Sequence, residues 1–115
     1  MNKITIAITT YNREKQLRRM LSSIKELINI DTYVSNIIVI DNSSNYDIES
    51  LILDFDLDVL LIRNKHNIGS AINIVMPLLH VASGWLWTLS DDDQVYPNAL
   101  NIIHSDLISR EKMVW

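Results

Sequence analysis

Two hydrophobic rhythms alternate along the chain. Ile4 to Thr9 is β-branched and nearly all apolar, the composition of a strand covered on both faces. After Thr10-Tyr11-Asn12-Arg13 the period lengthens. Leu17, Met20, Leu21, Ile24, Leu27 and Ile28 recur at three- and four-residue steps, which predicts an amphipathic helix with Asn12 as its N-cap. Ile37 to Asp41 predicts a second strand, followed by the turn Asn42 to Asn45, in which Ser44 is another expected helix cap, and a short helix over Ile48 to Leu53. Val59 to Ile62 is the third predicted strand, closed by the polar stretch Arg63 to Asn67. A helix is then expected from Asn67 or Ile68, with Ile68, Ala71, Ile72, Val75, Leu78, Leu79 and Ala82 at helical spacing and Pro77 kinking it or ending its first half. Gly84 suits the end of that helix, and the apolar run from Trp85 predicts a fourth strand. Pro97 suits the first turn of a further helix with Leu100, Ile103 and Leu107 facing inward, and Met113-Val114-Trp115 reads as the opening of another strand.

Strands alternating with helices imply βαβ units, hence an α/β domain with a mostly parallel sheet flanked by helices. Residues 1–115 form one domain. The polar loops at Thr9 to Asn12, Asp41 to Ser44, Arg63 to Asn67 and Asp91 to Asp93 all follow strands, so they converge on one sheet edge and make one cleft. The hydrophobic content of 48% is that of a folded chain, and a net charge of -4 gives no electrostatic footprint for nucleic acid. With no cysteine, neither a disulfide framework nor a thiolate metal site can form. No signal peptide is expected ahead of Ile4, and no apolar run approaches the roughly 20 residues that span a bilayer. Gly69 and Gly84 are the only glycines, so a glycine-rich phosphate cradle is missing.

The fourth predicted strand ends in Asp91-Asp92-Asp93. Adjacent like charges repel, and a hard divalent cation such as Mg²⁺ or Mn²⁺ would relieve them while leaving room for substrate phosphates. A solvated acidic turn explains the same triplet. Trp85 and Trp87 share one strand face and are read as packing. His66, His80 and His104 show no metal-ligand spacing. The basic side of the first helix (Arg13, Lys15, Arg18, Arg19, Lys25) is read as a solvated face, and Arg63 as an exposed loop arginine.

Four segments then fall into a family order. Thr9-Thr10-Tyr11-Asn12-Arg13, Val39-Ile40-Asp41-Asn42-Ser43-Ser44, Asn64-x-x-Asn67-x-Gly69 with Asn73, and Trp85-x-Trp87-x-x-x-Asp91-Asp92-Asp93 resemble the family 2 glycosyltransferases over nearly the whole chain. The resemblance implies a Rossmann-like GT-A nucleotide-binding half and a sugar transfer from a nucleotide-diphosphate donor of the UDP, GDP or dTDP type, assisted by Mg²⁺ or Mn²⁺. The Trp-x-Trp form is similar to galactofuranosyl- and rhamnosyltransferase-like members that build surface polysaccharides. Carried over by position, Thr9 and Tyr11 line the base and ribose pocket, and Asp41 accepts a hydrogen bond from the base. Asn67 and Gly69 lie near the base or diphosphate, with Asn73 at the helix start. Asp91 contacts the ribose or sugar, and Asp91 and Asp93 hold the metal, with Asp92 as an alternative ligand. The implied acceptor is a carbohydrate or a lipid-linked hydroxyl, and the implied location is the cytoplasm or the inner face of the membrane.

In the family the catalytic base lies beyond the acidic motif, in the acceptor-binding half. No residue in Asp106 to Glu111 matches such a motif, so the chain is expected to be the donor half of a longer enzyme, truncated before the base. An exposed sheet edge there would favour a homodimer. The rival reading is a non-catalytic nucleotide-binding or interaction module of the same fold. An essential Asp after the first strand, as a phosphotransfer domain requires, is replaced here by Thr9-Thr10-Tyr11.

Overall fold

A computed structural model describes residues 3–65 and 84–111. Four parallel strands, β1 (Ile4–Thr10), β2 (Val34–Asp41), β3 (Val59–Arg63) and β4 (Trp85–Ser90), lie in the order β3-β2-β1-β4. The helices are α1 (Glu14–Lys25), the single turn α2 (Ile30–Tyr33), α3 (Ile48–Leu53) and α4 (Ala99–Glu111). The order matters for function. From β1 the chain steps outward to β2 and β3, then returns to the other side of β1 for β4. The strand order therefore reverses between β1 and β4, and such a reversal leaves a crevice at the carboxyl ends of those two strands.

Alternation along the strands divides the apolar residues between two faces. Ile4, Ile6 and Ile8 of β1 with Ile37 and Val39 of β2 pack under Leu17, Met20, Leu21 and Ile24 of α1, Ile48, Leu51 and Ile52 of α3, and Leu100 and Leu107 of α4. The opposite face carries a smaller cluster of Ala7, Ile38 and Ile40, with Ile62 and Leu86 against it. Burial on both faces explains why β1 lacks polar alternation.

Several expectations are corrected. Asn12 does not cap α1. It lies at φ 50°, and Arg13 occupies the cap position without a side-chain bond. Ser44 is no cap either, because Asp47 caps α3 by accepting from the Ser50 amide at 3.1 Å. Pro97 lies two residues before α4, where its carbonyl accepts from the Ile28 amide at 2.9 Å. That bond draws Ile28 beyond the end of α1, and it is half exposed instead of buried. The basic side of α1 is exposed, as expected, with Arg18 also paired with Asp54 at 3.0 Å and Lys25 donating to the Phe55 carbonyl. The helix expected over Asn67 to Ala82 and the strand expected at Met113 lie outside the described residues. Gly84 has a φ of 95°, which glycine adopts without steric cost; the helix it was expected to end lies outside the described residues. Among the described residues no helix is long and apolar enough to cross a membrane.

Candidate functional site

Three backbone bonds stitch together the ends of the four strands. The Asn42 amide donates to the Thr10 carbonyl at 2.9 Å, the Asn64 amide to the Asp41 carbonyl at 2.9 Å, and the Asp91 amide to the Thr9 carbonyl at 3.2 Å. These bonds extend the parallel ladders by one residue beyond each strand. They hold Thr10, Asp41 and Asp91 side by side at the carboxyl edge. The convergence expected from the sequence is therefore present for the loops after β1, β2 and β4 and for the start of the loop after β3.

Asp41 closes β2 and is fully buried. Its Oδ1 accepts from the Ser44 amide at 3.1 Å, and its Oδ2 accepts from Arg63 Nε at 3.1 Å. Arg63 Nη2 also donates to the Ser44 carbonyl at 3.4 Å. Arg63, expected as a free loop arginine, is thus a brace between the β2 and β3 ends. Asn12 and Ser44 add a second brace: the Asn12 amide donates to Ser44 Oγ, and the Asn45 amide donates to Asn12 Oδ1, both at 2.8 Å. The positive φ at Asn12 turns it toward that partner loop, which is why it is not a cap.

Asp91 closes the β4 side and is also buried. Thr10 Oγ1 donates to its Oδ2 at 2.8 Å, and Arg13 Nη1 stands 3.8 Å from its Oδ1. Burial pushes the Asp91 carboxyl above the usual range, against the opposing pull of the Thr10 bond and the Arg13 charge. Asp92 is exposed. A Ser90 hydroxyl bond, helped by Arg13 and Arg19, holds it below the usual range, and its Oδ2 is 3.6 Å from Arg13 Nη1. Asp93 folds back so that its Oδ2 accepts from the Ser90 amide at 2.9 Å. Asp91 and Asp92 thus share Arg13, while Asp93 turns back to the Ser90 amide. Among the described residues no three acidic or histidine side chains stand close enough to enclose one ion.

The donor set still fits a hard cation. Mg²⁺ and Mn²⁺ need only one or two carboxylates when phosphates and waters complete the shell. Asp92 and Asp93 are exposed to such a ligand, and buried Asp91 is the least compensated charge.

Tyr11 is 43% exposed at the lip of the cleft, free to lie against a ligand ring. The side chain that contacts Asp91 is that of Thr10, while its neighbour Thr9 contributes a carbonyl. Asn67, Gly69 and Asn73 lie outside the described residues. Tyr46 was not foreseen. Its hydroxyl is buried beside Thr10, but the Thr10 proton goes to Asp91 and no bond of good geometry reaches the phenol. Burial and the Asp41 charge push its pKa up to about 12. Nothing in the sequence distinguishes it from any other turn aromatic. Trp87 packs against the main core, as expected. His104 stacks on Tyr33 with ring centres 4.4 Å apart. A cavity of about 370 Å³ between Ile30 to Ile37 and Asp56 to Asp58 holds none of the predicted site residues.

With this geometry in view, known proteins are informative. The sequence model described as Glycosyl transferase family 2 matches residues 5–111. Abequosyltransferase RfbV of Salmonella typhimurium is 27% identical over 113 residues, 93% of this chain and 33% of the relative. The uncharacterized glycosyltransferase R363 of Acanthamoeba polyphaga mimivirus is 34% identical over 100 residues, 82% of this chain and 39% of the relative. The chain thus spans a third to two fifths of these curated relatives. Among solved structures, residues 1–349 of S. aureus TarS in complex with UDP superpose with a TM-score of 0.84 at 17% identity, over 95% of this chain and 33% of that one. The mannosyltransferase PcManGT from Pyrobaculum calidifontis, in complex with GDP-Man and Mn²⁺, superposes with a TM-score of 0.69 at 20% identity, over 79% of this chain and 28% of that one. At such identities these likenesses establish the fold alone, an α/β arrangement of the GT-A type shared with these transferases.

Proposed function

The chain belongs to glycosyl transferase family 2, and from that premise we propose that it is the donor-binding region of an enzyme that transfers a sugar from a nucleotide diphosphate to an acceptor hydroxyl. One observation carries the reading. Asp91 is buried and bonded to Thr10 where the strand order reverses between β1 and β4, and Asp41 ends the strand on the other side of β1. A buried carboxylate at the switch point, with a second at the end of the next strand, lies at the sheet edge where α/β folds bind nucleotides.

The residues divide the work. Asp41, held rigid by Ser44 and Arg63, presents a fixed carboxylate that accepts from a base N–H. Tyr11 covers the base or ribose. Asp91 reaches the ribose or sugar, and Asn67 and Gly69 complete the nucleotide contacts. Asp91 and Asp93 would hold Mg²⁺ or Mn²⁺, with Asp92 as a further ligand, and the ion would neutralise charge on the leaving diphosphate. That a family 2 relative is an abequosyltransferase supports a sugar as the transferred group, and the acceptor we propose is a polysaccharide or lipid-linked hydroxyl. UDP and GDP-Man in the fold relatives support a nucleotide-sugar donor. Deprotonation of the acceptor is assigned to a carboxylate outside this chain.

Calorimetric titration with UDP, GDP, dTDP and CDP, with and without Mn²⁺, tests the reading on the wild-type chain and on Asp91→Asn/Asp93→Asn. One nucleotide should bind, with metal, and binding should be lost in the variant. No binding under any condition would overturn the donor-site assignment for this chain. Metal-dependent binding without donor hydrolysis, in this chain and in a longer one that restores the relatives' length, would favour the non-catalytic module.

A further inference from the structure

Arg13 stands beside the acidic triplet that the proposed function assigns to the metal and, through it, to the diphosphate. Its Nη1 lies 3.8 Å from Asp91 Oδ1 and 3.6 Å from Asp92 Oδ2, so one guanidinium nitrogen spans both carboxylates. Neither distance is that of a tight charge-assisted hydrogen bond. The Arg13 side chain is half exposed, and exposed ion pairs of this kind are weak. By contrast, the Arg13 backbone is fixed, because its carbonyl accepts from the Leu17 amide at 2.9 Å and anchors the start of α1. The side chain can leave the carboxylates without disturbing the fold.

On the premise of that donor-site reading, we infer that Arg13 is a positioning and specificity residue that exchanges partners: it neutralises Asp91 and Asp92 in the empty site and turns to the diphosphate when a metal-bound donor arrives. The charges require some such movement. A divalent cation cannot share Asp91 and Asp92 with a guanidinium at under 4 Å without strong repulsion. The same event brings phosphate oxygens to the cleft, and a guanidinium fork matches phosphate geometry better than it matches two divergent carboxylates. Arg13 therefore competes with the metal in the empty site and cooperates with it in the loaded one. A nucleoside monophosphate lacks the outer phosphate and gains little from the exchange.

The test separates these two effects. Mn²⁺ alone is titrated by electron paramagnetic resonance into the wild-type chain, Arg13→Gln and Arg13→Lys. The UDP, GDP, dTDP and CDP series and the matching monophosphates are then titrated calorimetrically with Mn²⁺. Arg13→Gln should bind Mn²⁺ alone about threefold more tightly, the scale of one exposed ion pair. It should bind the preferred diphosphate about tenfold more weakly and the monophosphate unchanged. Arg13→Lys, which keeps the charge but not the fork, should fall between. Both affinities falling together would mean that Arg13 merely supports the loop, and no change in either would mean that it is solvated; each overturns the exchange. A wild-type chain that binds no nucleotide overturns the donor-site reading itself and the exchange with it, whereas a wild-type chain that binds beside an unaltered Arg13→Gln overturns only the exchange.

Discussion

Asp41 and Asp91 are the same residue type at equivalent places, each at the carboxyl end of a strand hydrogen-bonded to β1 and each buried. Their surroundings differ. Asp41 has a backbone donor and a guanidinium donor at 3.1 Å, and its partners are themselves tied between two loops. Asp91 has a threonine hydroxyl, the Tyr11 backbone amide and a more distant arginine, and burial still pushes its carboxyl up against all three. A buried charge satisfied by the protein is part of the scaffold. A buried charge left short of partners is poised for something the protein does not supply. The difference separates a rigid reading position on the β2 side from an electrostatically open position on the β4 side.

The largest expected effect tests that separation directly. Asp41→Ala strands the Ser44 amide and the Arg63 guanidinium, and should destabilise the chain by about 3 kcal/mol in urea unfolding. Asp91→Asn keeps an acceptor for Thr10 and removes an ill-compensated charge. At neutral pH it should unfold no earlier than wild type, although metal-dependent nucleotide binding is lost. Equal destabilisation by the two substitutions would erase the distinction.

Double-mutant cycles sharpen the comparison. Asp41→Asn with Arg63→Met should show a coupling of about 1–2 kcal/mol, between the values for exposed and buried pairs because Arg63 is partly exposed. Asp91→Asn with Arg13→Gln should couple by less than about 1 kcal/mol. A stronger coupling on the β4 side would make Arg13 a structural partner and not an exchangeable one.

The fold and the site were legible to different degrees, for physical reasons. Buried parallel strands have a composition that depends little on context, so β1 and the core of β2 could be read directly, as could the inward face of α1 at Leu17, Met20, Leu21 and Ile24; β3 and β4, which are only partly buried, were legible from their short apolar runs. The crevice followed, since loops after parallel strands share an edge. Contacts between loops were not legible. Asn12 and Ser44 have the chemistry of helix caps, and only the approach of the two loops reveals that Ser44 Oγ takes the Asn12 amide and Asn12 Oδ1 the Asn45 amide. Arg63 looked solvated because its partner, Asp41, is 22 residues away in sequence. The single turn α2 has no periodic pattern long enough to detect.

A smaller effect isolates the scaffold role. Asp47 caps α3 through the Ser50 amide, close in sequence to the Asp41 loop but engaged with no candidate ligand group. Asp47→Ala should remove about 1 kcal/mol of stability and leave nucleotide affinity unchanged. A parallel loss of affinity would show that the β2 side reads the ligand only marginally above its own stability, and that the platform is less rigid than its bonds suggest.

The smallest effect, and the most specific to Asp91, lies in the pH dependence of the metal-free chain. Its folded carboxyl titrates above the usual carboxylate range, so the fold holds this proton more tightly than the unfolded chain does. The resulting contribution to stability is fully present below the unfolded value and is lost as pH rises through the raised folded value. Asp92, held below the usual range, acts in the opposite sense, with stability present above the unfolded value and lost as pH falls through the lowered one. Asp92 is common to wild type and Asp91→Asn, so the difference in unfolding free energy between these two chains isolates Asp91. That difference should shift against the wild type as pH rises from about 4 toward 7, the range just above an ordinary carboxylate. Mn²⁺ should then recover part of the wild-type loss at the upper end, because a cation binds the ionised carboxylate and stabilises the state that holds it. A difference that stays flat across this range would place Asp91 among the satisfied charges, on the same footing as Asp41, and would remove the electrostatic ground for assigning the metal to the β4 side.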